Sequence, residues 1–452
     1  MFFDYAYIIL IFNRLRRWLL ALLTILLAFN INLIANKRIN LSDSVPDFYK
    51  ENYLRYSNFI YKDNIKTLLI YKSGWELSNP IIELNSNEQI KLSFDDLDAD
   101  VKNLRYKIVH CNSDWTPSDI SYYDYLEGFE ENILGDYKFS FNTFQKFTHY
   151  NLLIPNDDVK FKISGNYLIK VYDGFDEENL LVTARFLCVE KKAQIDATCN
   201  RAMMPDIALT HQQVSFKVST PINIPNPQNE LKTVILQNFR WDNCISGLKP
   251  LFISNNEYNY NNTEGNCFTA GTEYHYFDIK SIRYQAERIA GIEYRKPFYY
   301  VDLVQDSPLR FKNYIFNSDL NGKYVVKIQE GEDSETDADY VFVNYTLPYD
   351  YPLIDGNIYV IGGFNNWQFI PENKMNYNFE KKQYELSLKL KQGYYNYQYA
   401  FVKDGTNLAD NTFIDGSHYE TENEYLILVY LRENSSRYDK LIGYQVVNSN
   451  VK

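Results

Sequence analysis

From residue 65 onward the chain is a succession of short runs, either alternating apolar and polar residues or collecting β-branched and aromatic ones, each closed by Gly, Pro, Asn or Asp. Residues 65–71, 89–94, 105–110, 136–141, 150–154, 166–172 and 180–189 make a first series, and 213–218, 233–237, 274–279, 298–304, 324–328 and 338–347 a second. Strands at this spacing, with no long helices to serve as crossovers, predict an all-β chain of tandem antiparallel β-sandwiches of immunoglobulin-like type. Only 119–129 and 286–293 are helix candidates, and both are short. The 452 residues suggest about three domains at roughly 150 residues each. The expected partition is a signal peptide at 1–35, an extended lead-in at 36–65, and sandwiches at 66–190, 191–348 and 349–452.

The apolar fraction of 45%, with 41 Tyr and 29 Phe, excludes intrinsic disorder because it supplies ample area to bury. The 58 acidic residues outnumber the 46 basic ones and no Lys/Arg stripe occurs, which excludes a dedicated nucleic-acid binder. Arg14, Arg16 and Arg17 precede an uncharged run at 18–29, the pattern of an export signal. The run is shorter than the roughly 20 residues of a membrane span, and cleavage is expected near Ala35. The alternative is an uncleaved anchor at 19–35. Asp4 and the apolar 7–12 do not suit the start of such a signal, which points to a start downstream of Met1. No integral membrane span is expected once the signal is removed. The five cysteines are widely spaced, without CxxC, and read as buried free thiols.

Catalytic chemistry finds little support. The sequence has no G-x-S-x-G, no H-E-x-x-H and no phosphate-binding glycine loop. His110 and Cys111 are adjacent, yet neighbours on a strand point to opposite faces and cannot form a dyad. Asp96, Asp98 and Asp100 imitate the start of a calcium loop, but Val101 and Lys107 occupy the positions that need Gly and Glu, so a solvated turn is expected. The expectation is a non-enzymatic protein with no catalytic, metal or cofactor residues and no small-molecule ligand.

The last segment carries a strand at 357–361, the turn Gly362-Gly363-Phe364-Asn365-Asn366, Trp367, alternating runs at 383–390 and 394–401, and the tight turn Asp404-Gly405. It resembles the early-set domain of glycogen-binding modules. That resemblance implies a sugar platform of two tryptophans and a lysine. Trp367 holds the first tryptophan position, Gln398 stands in place of the lysine, and 407–408 lacks the second tryptophan. Glycan binding through Trp367 is the alternative function.

Three dense aromatic-polar clusters remain, at 110–115, 121–126 and 237–243. Rings with polar tips suit a protein interface or the closure of a sandwich end. Trp115, Tyr122, Tyr123, Tyr125, Arg240, Trp241 and Asp242 are the candidate partner-binding residues. The ordered motifs His110-Cys111-Asn112-Ser113-Asp114-Trp115, Glu127-Gly128-Phe129, the stretch 136–143, Thr148-His149-Tyr150, Ser164-Gly165-Asn166-Tyr167-Leu168, the stretch 237–243 and the stretch 391–399 resemble the type IX secretion system plug protein family. The resemblance implies a periplasmic protein of a Gram-negative cell, associated with the inner side of the outer membrane. Its implied partner is the giant outer-membrane β-barrel translocon, whose periplasmic opening it closes when idle.

Overall fold

The computed structural model describes residues 53–406 and 409–449. The expected signal peptide, most of the lead-in and the 407–408 position of the sugar platform lie outside the described residues. The body is all-β, and its strands form three sandwiches.

The first sandwich packs Phe59–Ile60, Leu180–Val189, Gly165–Asp173, Leu104–Cys111 and Glu131–Ile133 against a second sheet of Ile65–Lys72, Ile90–Asp96, Thr148–Ile154 and Asp136–Phe139. Alternation sends Leu92, Phe94, Tyr106, Ile108, Tyr150, Ile154, Tyr167 and Phe186 into one core. Phe59–Ile60 belongs to the expected lead-in, which therefore joins this sandwich instead of running free. Within 119–129 only Tyr122–Tyr125 makes a helical turn, where the Ser121 amide donates to the Asp124 carboxylate at 2.9 Å. The second helix candidate is a strand, Ile289–Arg295, because it pairs along its length with Phe298–Leu303. Among the described residues two pairings are parallel: Ile81–Glu83 on Leu180–Val189, and Phe298–Leu303 on Tyr340–Pro348.

The expected boundary near 349 does not separate two sheets. Tyr340–Pro348, just before it, pairs with Gln383–Lys391, well beyond it. The third sandwich also takes His275–Asp278 and Tyr324–Val326 as partners of Gly393–Lys403. Glu424–Leu431, which falls within the expected last domain, instead pairs with Leu231–Gln237 and completes the middle sandwich together with Lys440–Asn448. The chain thus leaves the middle sandwich after Cys267–Thr269, builds the third, and returns. Its outgoing and returning segments are tied where they pass: the Thr421 hydroxyl donates to the Gly271 carbonyl at 2.8 Å and the Asn423 amide to the Ala270 carbonyl at 2.9 Å.

The physical reason lies in Glu424–Leu431, which is apolar at nearly every position after the first. Tyr425, Ile427, Val429 and Leu431 point into the middle core. Leu426, Leu428 and Tyr430 point the other way and meet Leu168, Leu187, Val189, Cys111 and Trp115 of the first sandwich. Leu231–Gln237 is divided in the same manner, with Leu231 and Ile235 on one side and Val234 and Leu236 on the other. A strand apolar on both faces needs cover on both, and each Leu or Val so covered contributes about 1.5–3 kcal/mol. The first and middle sandwiches are therefore joined through a core of their own.

The first and third sandwiches are joined by charge. Asp95, wholly buried, accepts from Lys391 Nζ at 2.6 Å, His149 Nδ1 at 2.6 Å and the Tyr340 hydroxyl at 2.7 Å. Burial alone would raise its pKa, but the Lys391 ammonium and His149 outweigh burial and hold the carboxyl below its usual range. Glu335 extends the network to Lys91, Lys138 and His149. Next to it, Asp339 takes the amides of Phe144 and Gln145 at 2.6 and 3.1 Å. Removing one member of such a pair strands the other in the interior. Lys391→Ala is expected to lower stability by about 3–5 kcal/mol, read as the shift of the urea midpoint, with Asp95→Asn/Lys391→Met recovering part of the loss. An unchanged midpoint for Lys391→Ala would show that the joint carries no weight.

Candidate functional site

The loop after Leu104–Cys111 is shaped by its own polar residues. Asp114 Oδ1 accepts from the Thr116 amide at 3.0 Å and its hydroxyl at 2.6 Å, and Trp115 sits at φ +66°. The turn throws Ser113 toward the middle sandwich, where its amide and hydroxyl donate to Asp439 at 2.9 and 2.7 Å. Asp439 is also paired with Lys232 at 2.9 Å and Arg432 at 3.3 Å, and these partners together hold it ionised against the opposing effect of burial. The same turn drives the Trp115 ring into the shared core, edge-on to Trp241 with the ring centroids 5.0 Å apart. The Arg185 guanidinium lies over both, 4.2 Å from the Trp115 centroid and 5.3 Å from that of Trp241.

The 237–243 cluster serves a second junction. Asn238 and Phe239 both take positive φ, 53° and 57°, in the tight connection between Leu231–Gln237 and Arg240–Ser246. Arg240, 4% exposed, forks onto Asp242 with nitrogen–oxygen distances of 3.1 and 2.6 Å and places its guanidinium 4.4 Å above the Trp367 ring of the third sandwich. Tyr274 meets Trp367 edge-on at 5.7 Å. Gly322 closes on the far rim of the indole: a Cβ there would stand 2.2 Å from Cη2, and its φ of +80° suits glycine in any case. Where the three sandwiches meet lies a cavity of about 420 Å³, walled by Asn58, Glu76, Arg185, Trp241, Lys323 and Trp367 among others. Lys323 spans this junction too, donating to the Leu77 carbonyl at 2.8 Å and to Asn79 at 3.0 Å.

The expected partner-binding residues thus divide. Trp115, Tyr125 and Arg240 are buried at 5, 7 and 4% exposure, and Trp241 is half-buried at the joint. Tyr125 turns inward and donates to the Ile108 carbonyl at 3.0 Å. Tyr122 is half-buried, Tyr123 is 66% exposed with its ring 3.8 Å from that of Tyr122, and Asp242 is exposed beside Arg240. Trp367, the expected sugar platform, is half-buried and engaged by Arg240 and Tyr274.

The titratable groups beside these joints are occupied structurally. His110 is sequestered between Ser118 Oγ at 2.8 Å and the Ser164 carbonyl at 3.2 Å, and burial pulls its pKa down to about 4, so it is neutral at physiological pH. Gly165 leaves it room, since a Cβ there would lie 2.2 Å from Nε2. Cys111 sits on the opposite face, and burial pushes its thiol up to about 12, so no thiolate is available. All five cysteines are free. The expected solvated turn at Asp96, Asp98 and Asp100 is different in kind: Asp96 is buried, and Lys102 reaches Asp96 at 2.5 Å and Asp98 at 2.6 Å, so an ammonium already fills the space a cation would take. In the third sandwich His275 stands between Asp306 at 3.2 Å and Asp415 at 3.0 Å. Burial opposes its charge, but the two carboxylates prevail and raise its pKa well above the ordinary value, while Asp306 is held at about 2.

Sequence reasoning missed Asp95, Arg185, Lys391 and Asp439. Only Arg185 carries a local signal, as the one charged residue in the apolar run Leu180–Val189; Asp95 adjoins Asp96, Lys391 follows Lys389 and Asp439 precedes Lys440, so nothing local sets them apart.

A family model described as the type 9 secretion system plug protein 1st domain matches residues 65–190. The chain is similar to a solved structure of a hypothetical protein from Parabacteroides merdae, at 37% identity and a TM-score of 0.84, over 88% of this chain and 100% of that one. A collagen adhesin from S. aureus aligns at 9% identity and a TM-score of 0.10, over 85% of this chain and 91% of that one, too distant to bear on the fold. No curated protein matches the chain.

Two outcomes are expected. A raised histidine pKa stabilises below the unfolded value of about 6.5 and ceases to do so as pH climbs through the folded value. The stability gap between the protein and His275→Gln, from urea midpoints across pH, should be widest in mild acid and narrow toward alkaline pH. A gap that widens upward would contradict the pairing. Soluble α-glucan should leave tryptophan emission unchanged because Arg240 covers a Trp367 face. A saturable shift lost in Trp367→Ala would show that the face opens.

Proposed function

Because the chain belongs to one family with the Parabacteroides merdae protein and carries the type 9 secretion plug first domain over 65–190, we propose that it is a periplasmic, non-enzymatic component of the type IX secretion system that binds the outer-membrane translocon barrel and plugs its periplasmic opening when idle. The observation that carries this reading is the joining of all three sandwiches through buried contacts, a shared apolar core on one side and the Asp95–Lys391 pair on the other. A barrel wide enough for folded cargo leaves an aqueous lumen. An idle pore needs a stopper that keeps its shape, and a body whose parts share cores does so better than sandwiches on linkers.

Release must be reversible, which suits a polar, wet contact with a few aromatic anchors. Tyr122, Tyr123 and Asp242 are the groups left for such a contact, while Trp115, Arg240 and Trp241 sit at joints between sandwiches and Tyr125 packs in the core of the first. The barrel lies at the outer membrane, so the protein works at the inner side of that membrane. Cargo or a cargo carrier would have to favour the open state by about 5.5 kcal/mol to turn a mostly closed population into a mostly open one.

Affinity capture of the protein from cell envelopes should recover a very large barrel protein, and Tyr123→Ala should reduce recovery about tenfold, the effect of losing one anchor worth roughly 1.4 kcal/mol. Capture of the chain alone, in repeated trials with the barrel expressed, would overturn the reading.

A further inference from the structure

Arg185 is a charge without a counter-charge. It lies in the middle of Leu180–Val189, on the side that meets the middle sandwich, and no carboxylate pairs with it among the described residues. Trp115 and Trp241, edge-on to one another, stand with their ring centroids 4.2 and 5.3 Å from its guanidinium carbon, a cation–π contact that consumes none of its N–H donors. Its Nε is buried without a hydrogen-bond partner. Burial pulls the group down to about 9, opposed only by two thiols and a phenol, so it remains a cation at neutral pH. Arg185 is half-buried, and a partly desolvated cation without a counter-charge, set in a cleft, marks a candidate binding site.

What it faces is a cleft of about 420 Å³ between the 112–118 loop and the middle sheet. The same cleft is lined by Trp115 and Trp241, whose indole N–H groups also lack partners. All of these groups can donate. Lys232 and Lys249 stand at its wall, and the one acidic residue there, Asp114, has its carboxylate turned onto Thr116. Leu231, Val234 and Leu248 supply its apolar part, with Ser113, Cys244 and Ser246 beside them. Unspent donors around a planar cation, with apolar walls, call for a planar anion with an apolar body; guanidinium and carboxylate match as a fork on a fork. The volume is at the small end of ligand sites.

We propose that this cleft binds the carboxylate of a small, largely apolar organic acid, with Arg185 as the anion anchor. The ligand would touch the first and middle sandwiches at once, so its binding would tighten the joint between them.

Calorimetric titration of the purified protein with phenylacetate tests this, with 2-phenylethanol as the uncharged analogue. Phenylacetate should bind saturably and raise the melting temperature, with the alcohol at least about tenfold weaker, as befits loss of a charge-assisted contact. Arg185→Gln should abolish binding. Trp241→Phe keeps the ring but removes one N–H, and should weaken binding about three- to tenfold even if Arg185→Gln fails to fold. No heat and no thermal shift in the unaltered protein, equal binding of the alcohol, or unchanged affinity in either folded variant would overturn the proposal.

Discussion

The architecture depends on covering the second face of the middle sandwich's inner sheet. Leu231–Gln237 and Glu424–Leu431 lie side by side with apolar residues on both faces. An ordinary sandwich covers one face and leaves the other to water. Here the other face must be buried, and the outer side of the first sandwich, with Leu168, Leu187 and Val189 exposed by the alternation of its own strands, supplies the surface. Once those two bodies are fused, the third follows, because it is built from the chain between Cys267–Thr269 and Glu424–Leu431 and is held where that chain leaves and returns.

Apolar contact supplies adhesion without fixing register, and the polar joints do the fixing. Asp95 with Lys391, Asp439 with Ser113 and Lys232, and Arg240 over Trp367 each admit one alignment of the groups involved. Buried pairs of this kind add little net stability over apolar replacements but penalise every misaligned arrangement. The motif clusters sit largely at these places: Thr148-His149-Tyr150 supplies a partner of Asp95, and Lys391 opens the 391–399 stretch.

Strand content and sandwich class were legible in the sequence because period-2 alternation is a local property. The partition beyond 191 was not. Glu424–Leu431 reads as a strand, but nothing local tells a strand that its partner lies near residue 234 instead of near 398. Its unbroken apolar run carried the clue that both faces were taken. The cluster aromatics were legible as either a protein interface or the closure of a sandwich end, and the sequence does not choose, since Trp115 and Arg240 look the same whether they meet another protein or another part of the same chain. The calcium-like aspartates show the converse, for the ammonium that fills them comes from Lys102, which a ligand-spacing argument does not consult.

Sandwiches that share cores and buried polar joints unfold as one, and the proposed stopper role requires that they also keep one shape. Differential scanning calorimetry of the purified protein tests this most directly. The account predicts a single transition whose calorimetric and van't Hoff enthalpies agree. Two or three resolved transitions, with the third sandwich melting apart from the others, would contradict it.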